Sequence, residues 1–87
     1  MTIRVSCAQI WPRLGDKEYN LQKMEHYIQQ TMTEYPDTQL IVFPELATSG
    51  YEGTVEQFQA LAETAEDGES IRRIGTLAAK YGIYIVY

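Results

Sequence analysis

An uninterrupted apolar run, Leu-Ile-Val-Phe at residues 40–43, constrains the fold more than any other feature of the chain. Its length is typical of a strand, and a strand that is apolar at every position suits a parallel sheet covered on both faces. Pro44 ends the strand, because proline has no N–H to donate to a neighbouring strand. The run therefore predicts a buried strand of a parallel sheet.

Two further segments have the pattern of a strand. Ile3, Val5 and Cys7 alternate with polar residues, which predicts a first strand that Trp11-Pro12 ends. Residues 83–87, Ile-Tyr-Ile-Val-Tyr, predict a third strand.

The segment after the first strand is marked as a helix at both ends. Asp16 is placed to cap a helix over residues 17–35, and Pro36-Asp37 ends it. The apolar residues step by three or four positions and form one inward stripe. That stripe consists of Leu21, Met24, Ile28 and Met32, with Tyr27 beside them.

Two more helices are predicted between the second and third strands. Thr54 and Gln57 form a capping-box pattern that begins one helix, and Asp67-Gly68 breaks it. Ser70 is expected to cap the next helix, which Gly82 ends in a left-handed conformation. The residues expected to face inward are Phe58, Leu61, Ala62 and Ala65 on the former and Ile71, Ile74, Leu77, Ala78 and Tyr81 on the latter.

The resulting order of strand, helix, strand, helix pair and strand predicts an α/β fold, with a parallel sheet if the crossovers are right-handed. A chain of 87 residues holds one small domain at most. Its single cysteine forms no internal disulfide, its start lacks the pattern of a secretory signal, and it has no apolar run of about 18 residues. We therefore expect a cytoplasmic protein with no membrane segment.

The chain is acidic in one stretch only. Twelve acidic and seven basic side chains give a net charge of −5, and residues 54–69 hold five acids and no base. No basic patch is present, so nucleic acid and anionic membranes are poor partners. The acidic stretch is expected to be the solvated face of one helix.

Glu45 is the best candidate for a catalytic residue. It follows the buried strand directly, and sites in α/β folds lie outside the carboxyl ends of the strands. Apolar cover there would make the carboxylate more basic, as a general base requires. The alternative is a helix cap or a surface acid. Tyr51, an aromatic residue in the same loop, is expected either to line a pocket or to pack the loop down.

Other chemically active residue types are isolated. Cys7 lies inside the first strand and is expected to be buried and inert. His26 has no neighbours at metal-ligand spacing, so no metal site is expected. Gly15 is the only glycine in residues 9–16, so no glycine-rich phosphate loop follows the first strand.

Four segments in order resemble the N-terminal part of the nitrilase superfamily, the carbon–nitrogen hydrolases. Residues 3–10 resemble its opening strand, which commonly ends in Ala-Gln, and Gly15-Asp16 with Asn20-Leu21 resemble its next landmark. Residues 40–46, followed by Ser-Gly-Tyr at 49–51, resemble its first catalytic motif, and residues 77–83 resemble the helix that leads to the third strand.

This resemblance implies an α-β-β-α sandwich, often dimeric, that hydrolyses amides, carbamoyl groups or nitriles with no cofactor or metal. The family uses a Glu-Lys-Cys triad and a thioester acyl-enzyme. Glu45 corresponds to the general base, and Tyr51 more weakly to a pocket residue. Cys7 is not at the nucleophile position, and Lys80 does not match the family's lysine motif.

Residues 1–87 are therefore expected to be a single incomplete domain, the N-terminal portion of such a hydrolase, and to be inactive alone. Small-molecule amide, carbamoyl or nitrile substrates and a homo-oligomer are the expected partners. The alternative is a complete small α/β interaction module without catalytic activity, in which the acidic helix is the binding face.

Overall fold

The computed structural model describes residues 1–87, and its centre is a sheet of three parallel strands. Strands β1 (Val5–Cys7), β2 (Leu40–Val42) and β3 (Tyr84–Val86) lie in the order β1-β2-β3. The register aligns Ser6 with Ile41 and Ile41 with Ile85. Three helices connect the strands: α1 (Lys17–Glu34), α2 (Val55–Leu61) and α3 (Glu69–Tyr81). The predicted α/β fold with a parallel sheet is confirmed.

Helix α1 follows its prediction closely. The carboxylate of Asp16 accepts a hydrogen bond of 3.1 Å from the N–H of Tyr19, which caps the first turn. Leu21, Met24 and Ile28 are fully buried, as the spacing of the stripe predicts. The helix ends at Glu34, just before Pro36.

Helix α2 is shorter than predicted. The capping box is present, with Gln57 N–H donating to Thr54 Oγ1 at 3.1 Å and Thr54 N–H donating to Gln57 Oε1 at 2.8 Å. The helix nevertheless ends at Leu61, and Ala62 and Ala65 are exposed rather than inward. The following turn carries Glu63 to the start of α3, where its carboxylate accepts a hydrogen bond from the N–H of Ser70.

Helix α3 begins without the predicted cap. Its N-cap is Gly68, and Ser70 lies within the first turn. The carboxylate of Glu63 accepts a hydrogen bond of 2.7 Å from the N–H of Ser70, so the cap comes from the preceding turn. Gly82 ends the helix with φ 65°, as predicted. Ile74 and Leu77 are buried, whereas Ile71, predicted to face inward, is exposed.

The prediction of one solvated acidic helix face is wrong. Glu56 lies on α2, whereas Glu63 lies in the turn after α2 and pairs with Lys17 at 3.1 Å. Glu69 lies on α3 and pairs with Arg73 at 3.2 Å. The acidic residues are therefore divided among two helices and a turn. The alternative interaction module loses the continuous helix face on which it depended.

The core lies on one face of the sheet only. Helices α1 and α3 cover that face and are joined by the guanidinium of Arg73, which donates to Glu25 at 2.5 Å. Because the strands progress in one direction, two crossovers of the same hand place their helices on the same side. The nine core residues are Leu21, Met24, Ile28, Ile41, Phe43, Ala47, Ile74, Leu77 and Ile83.

The opposite face of the sheet is apolar and open. Cys7, Val42 and Val86 share one row of it, and Cys7 is exposed, so the prediction that Cys7 is buried is wrong. Val86 is exposed and Val42 is half-buried. Strand β2 was predicted to be covered on both faces, but within residues 1–87 only one of its faces is covered. No helix of the chain combines the length and the apolar character that crossing a bilayer requires.

Candidate active site

Glu45 lies at the carboxyl edge of the central strand. The pairing of β2 with β3 extends one residue past the strand, because Phe43 N–H donates to the carbonyl of Val86 at 2.8 Å. Pro44 then ends the ladder, and Glu45 begins a turn over residues 45–49. The position is the one predicted, at the sheet edge where α/β folds hold their sites. The side chain of Glu45 is exposed, so the apolar cover expected around it is not formed by these residues.

The turn that carries Glu45 has an unusual backbone. Leu46, the next residue, has φ 54°, in the left-handed region that a residue with a Cβ rarely adopts. Such a conformation costs about 1–2 kcal/mol. The carbonyl of Leu46 accepts hydrogen bonds from the N–H groups of Ser49 at 3.2 Å and Gly50 at 2.8 Å, which offset part of that cost. Ala47 is buried beneath the turn and anchors it to the core.

A buried asparagine of α1 connects this turn to the loop after β1. Asn20 Oδ1 accepts a hydrogen bond of 2.7 Å from the N–H of Arg13. Its Nδ2 donates to the carbonyl of Arg13 at 2.8 Å and to the carbonyl of Thr48 at 2.9 Å. The two loops also meet directly, because Gly15 N–H donates to Ser49 O at 2.9 Å. The loops at the carboxyl ends of β1 and β2 therefore form one hydrogen-bonded unit.

Gly50 is required where the two loops touch. Its φ is 88°, and a Cβ at this position would lie 2.8 Å from Leu14 Cα. Any side chain would push the loops apart and would also strain the backbone. The turn is thus held at one end by Pro44 and at the other by this close approach.

Tyr51 lines a groove that does not include Glu45. The groove has a volume of about 690 Å³ and is open to solvent. Tyr51 is 46% exposed there. The other lining residues are Trp11, Pro12, Arg13, Leu14, Tyr19, Lys23 and Glu52. Of the two expectations for Tyr51, the position beside a groove is the one observed, but the structure does not bring it together with Glu45.

Two cations organise the groove. The guanidinium carbon of Arg13 lies 3.7 Å from the centroid of the Tyr19 ring, a cation–π contact. Lys23 Nζ donates to the carbonyl of Trp11 at 3.1 Å. The groove is therefore aromatic, and its two cations outnumber its one acid, Glu52, which suits apolar ligands or ligands that carry an anionic group.

The remaining candidates of the sequence do not join this site. His26 is exposed on α1, and its ring meets that of Tyr27 edge-on at 5.5 Å. No three histidine, cysteine, aspartate or glutamate side chains are grouped so as to hold a metal ion. Cys7 lies on the open face of the sheet.

In the sequence Asn20 stands out only as part of the landmark with Leu21, and its contacts were not predicted. The signal was available, because Asn20 stands four and eight residues before Met24 and Ile28 on the apolar stripe of α1. A polar side chain on a buried stripe requires hydrogen-bonding partners. Its partners, however, are backbone groups of two loops that only the tertiary structure brings together.

Comparison with known proteins identifies relatives over nearly the whole chain. The family model for carbon-nitrogen hydrolases matches residues 4–87. A Schizosaccharomyces pombe protein described as a probable nitrilase is 44% identical over 87 residues, which cover 100% of this chain and 32% of that protein. A Saccharomyces cerevisiae protein named omega-amidase NIT3 is 34% identical over 87 residues, 97% of this chain and 29% of that protein.

A solved structure supports the same relationship. The crystal structure of Saccharomyces cerevisiae Nit3, described as a member of branch 10 of the nitrilase superfamily, matches with a TM-score of 0.81 and 32% identity. The match covers 95% of this chain and 31% of that one. The chain thus spans about a third of the length of the relatives it matches.

Proposed function

The chain belongs to the carbon–nitrogen hydrolase family, and on that premise we propose that the protein hydrolyses non-peptide carbon–nitrogen bonds with Glu45 as its general base. The observation that carries the proposal is the position of Glu45, directly after Pro44 at the carboxyl edge of the central strand. Its carboxylate is exposed at the start of a hydrogen-bonded turn, where it is accessible to a substrate or a second catalytic group.

In the proposed mechanism Glu45 works with a lysine and a cysteine that these 87 residues do not supply. Glu45 accepts the proton of the thiol as the sulfur attacks the amide carbonyl carbon, and it gives that proton to the nitrogen, so that the C–N bond breaks, ammonia leaves and a thioester remains. With a nitrile the sulfur adds to the carbon to form a thioimidate, and water converts this to the thioester as ammonia leaves. The lysine stabilises the negative charge that develops on the substrate. Glu45 then activates the water that hydrolyses the thioester, which releases the acid and the free thiol.

The residues of this chain fit only one of the three roles. Cys7 is the last residue of β1, its side chain lies on the open sheet face, and it does not stand at the position that the family resemblance gives the nucleophile. Lys80 lies on α3 beside Tyr81. We therefore propose that residues 1–87 act as the N-terminal portion of a larger hydrolase domain, and that this portion has no activity alone. That proposal agrees with relatives about three times as long.

Amides are the proposed substrate class, with nitriles and carbamoyl groups as the alternatives to test. One relative is named an omega-amidase and another a probable nitrilase. Tyr51 is proposed to contribute to substrate binding from the neighbouring groove. The basic residues of the groove, Arg13 and Lys23, would favour a substrate with a carboxylate. A cytoplasmic homo-oligomer without cofactor or metal remains part of the proposal.

The test is hydrolysis by the full-length protein. We expect ammonia release from aliphatic and dicarboxylic monoamides, and a loss of about 10²–10⁴-fold in kcat/KM on Glu45→Gln, which keeps the shape but removes the base. Glu56→Gln, an exposed acid on α2, is the matched control and should be active. Full activity in Glu45→Gln would refute the role of Glu45, and hydrolysis by the isolated 87-residue chain would refute the incomplete triad.

A further inference from the structure

Asn20 is fully buried, and its side chain makes three hydrogen bonds. Each donor or acceptor atom of the amide faces a backbone group: Oδ1 faces the N–H of Arg13, and Nδ2 faces the carbonyls of Arg13 and Thr48. No buried side-chain polar atom of the chain lacks a partner. The amide of Asn20 is therefore matched to two separate loops.

One of those loops is the turn that carries Glu45. Thr48, whose carbonyl accepts from Asn20, is three residues after Glu45. The carbonyl of Leu46 accepts from the N–H groups of Ser49 and Gly50, so residues 46–50 form one hydrogen-bonded turn. A shift of the Thr48 carbonyl would consequently displace the backbone of Glu45, whose other neighbour, Pro44, has a restricted backbone.

The second loop, which follows β1, holds the Asn20 amide through two hydrogen bonds. Asn20 lies on the core stripe of α1 with Met24, and its two bonds to Arg13 hold the loop that follows β1. Gly15 N–H adds a bond of 2.9 Å to Ser49 O between the same two loops. The position of the Glu45 turn is thus fixed by hydrogen bonds to a buried side chain of α1.

We propose that Asn20 is a positioning residue for Glu45: its side-chain amide sets the place of the catalytic turn through the Thr48 carbonyl. This inference rests on the proposed function of Glu45. Only an uncharged amide supplies both the acceptor for Arg13 N–H and the donors for two carbonyls. An aspartate of the same shape would place a negative oxygen against the carbonyls of Arg13 and Thr48.

The test compares Asn20→Asp with the wild type in the full-length protein. We expect kcat to fall about 10–100-fold with KM little changed, because a misplaced base affects the chemical step more than substrate binding. Ile28→Ala is the matched control, a buried change about two turns further along the same helix at a side chain that forms no hydrogen bond to either loop. It should lower Tm at least as much as Asn20→Asp while kcat, measured well below Tm, stays near that of the wild type.

The result that overturns the proposal is a wild-type kcat in folded Asn20→Asp, or equal losses of kcat in Asn20→Asp and Ile28→Ala. Glu45→Gln separates this failure from failure of the proposed function. If Glu45→Gln is inactive and Asn20→Asp is fully active, Glu45 is the base and Asn20 does not position it. If Glu45→Gln is fully active, the proposed function itself is wrong.

Gly50→Ala tests whether the position of the turn sets kcat if Asn20→Asp does not fold. Its Cβ would meet Leu14 Cα at 2.8 Å and push the turn away from the first loop, while the Asn20 side chain itself is unchanged. We expect the same fall in kcat with little change in KM. A Gly50→Ala protein with lower Tm but unchanged kcat would overturn the proposal.

Discussion

The carboxylate of Glu63 accepts a hydrogen bond of 2.7 Å from the N–H of Ser70, so a side chain seven residues upstream caps the first turn of α3. The other oxygen of Glu63 pairs with Lys17 of α1 at 3.1 Å, and both side chains are more than four-fifths buried. One carboxylate thus joins the turn after α2 to the starts of two helices.

Removal of this cap should destabilise the protein. We expect Glu63→Ala to lower the free energy of unfolding by about 1–2 kcal/mol, as loss of a helix cap does. Urea unfolding followed by circular dichroism measures this change. Glu66→Ala, an exposed acid in the same turn, is the control and should be nearly neutral. Equal stability of the two variants would contradict the capping role of Glu63.

The stabilisation by Glu63 should depend on pH. Burial disfavours its charge, but the hydrogen bond from the Ser70 N–H and the ammonium group of Lys17 outweigh burial and lower the pKa of Glu63 below 4.5. A carboxyl with a lower pKa in the folded state stabilises above its unfolded pKa, and that stability is lost as the pH falls through the folded pKa.

We therefore expect the difference in unfolding free energy between the wild type and Glu63→Gln to be constant down to about pH 5 and to shrink below it. Urea midpoints at a series of pH values test this. A difference that stays constant to about pH 2 would show that the charge of Glu63 contributes nothing.

The ion pair between Arg73 and Glu25 should couple α1 to α3. Arg73 donates to both oxygens of Glu25, at 2.5 and 3.2 Å, and both side chains are mostly buried. A double-mutant cycle with Arg73→Ala and Glu25→Ala should give a coupling energy of about 1 kcal/mol. The Arg4–Asp37 pair, exposed by half or more, is the control and should give a value near zero. Equal coupling energies in the two cycles would show that burial does not strengthen the Arg73–Glu25 pair.

Two glycines, Gly75 inside α3 and Gly82 at its C-cap, should respond in opposite directions to substitution by alanine. Gly82 has φ 65°, so Gly82→Ala should cost about 1–2 kcal/mol although its Cβ meets no atom. Gly75 lies within the helix and also has open space at Cβ, so Gly75→Ala should stabilise by up to about 1 kcal/mol. Thermal unfolding of the two variants measures both changes in stability. If both variants were stabilised or both destabilised, the explanation from the backbone conformation of the two glycines would be wrong.

Cys7 should be dispensable for hydrolysis. It is the last residue of β1, beside Val42 in the sheet, and its side chain lies on the open face. It does not stand at the position that the family resemblance gives the nucleophile. Cys7→Ala in the full-length protein should keep the kcat of the wild type and should still form an acyl-enzyme detectable by mass spectrometry. Loss of the acyl-enzyme in this variant would make Cys7 the nucleophile and overturn the assignment.

Local patterns predicted much of the architecture correctly. The Asp16 cap, the capping box of Thr54 and the left-handed Gly82 each depend on residues within a few positions, so their conformations can be inferred from the sequence around them. The position of Glu45 was predicted for the same reason, because Pro44 ends the strand directly before it.

The errors concern contacts between distant segments. Helix α2 ends early where Glu63 reaches Lys17 and Ser70, and no periodicity contains that contact. Cys7 alternates as a strand residue should, but alternation does not indicate which face the helices cover. The structure decides this through the order of the strands and the hand of the crossovers.

The sequence by itself determined the type and order of the strands and helices and the placement of Glu45 after β2, because these follow from hydrophobic spacing, caps and proline. Only the tertiary structure decided which sheet face is covered, that Tyr51 borders a different groove from Glu45, and that Asn20 joins the loops after β1 and β2. These depend on the packing of α1 and α3 over the sheet, and a side-chain amide finds its backbone partners only when that packing brings the loops within hydrogen-bonding distance.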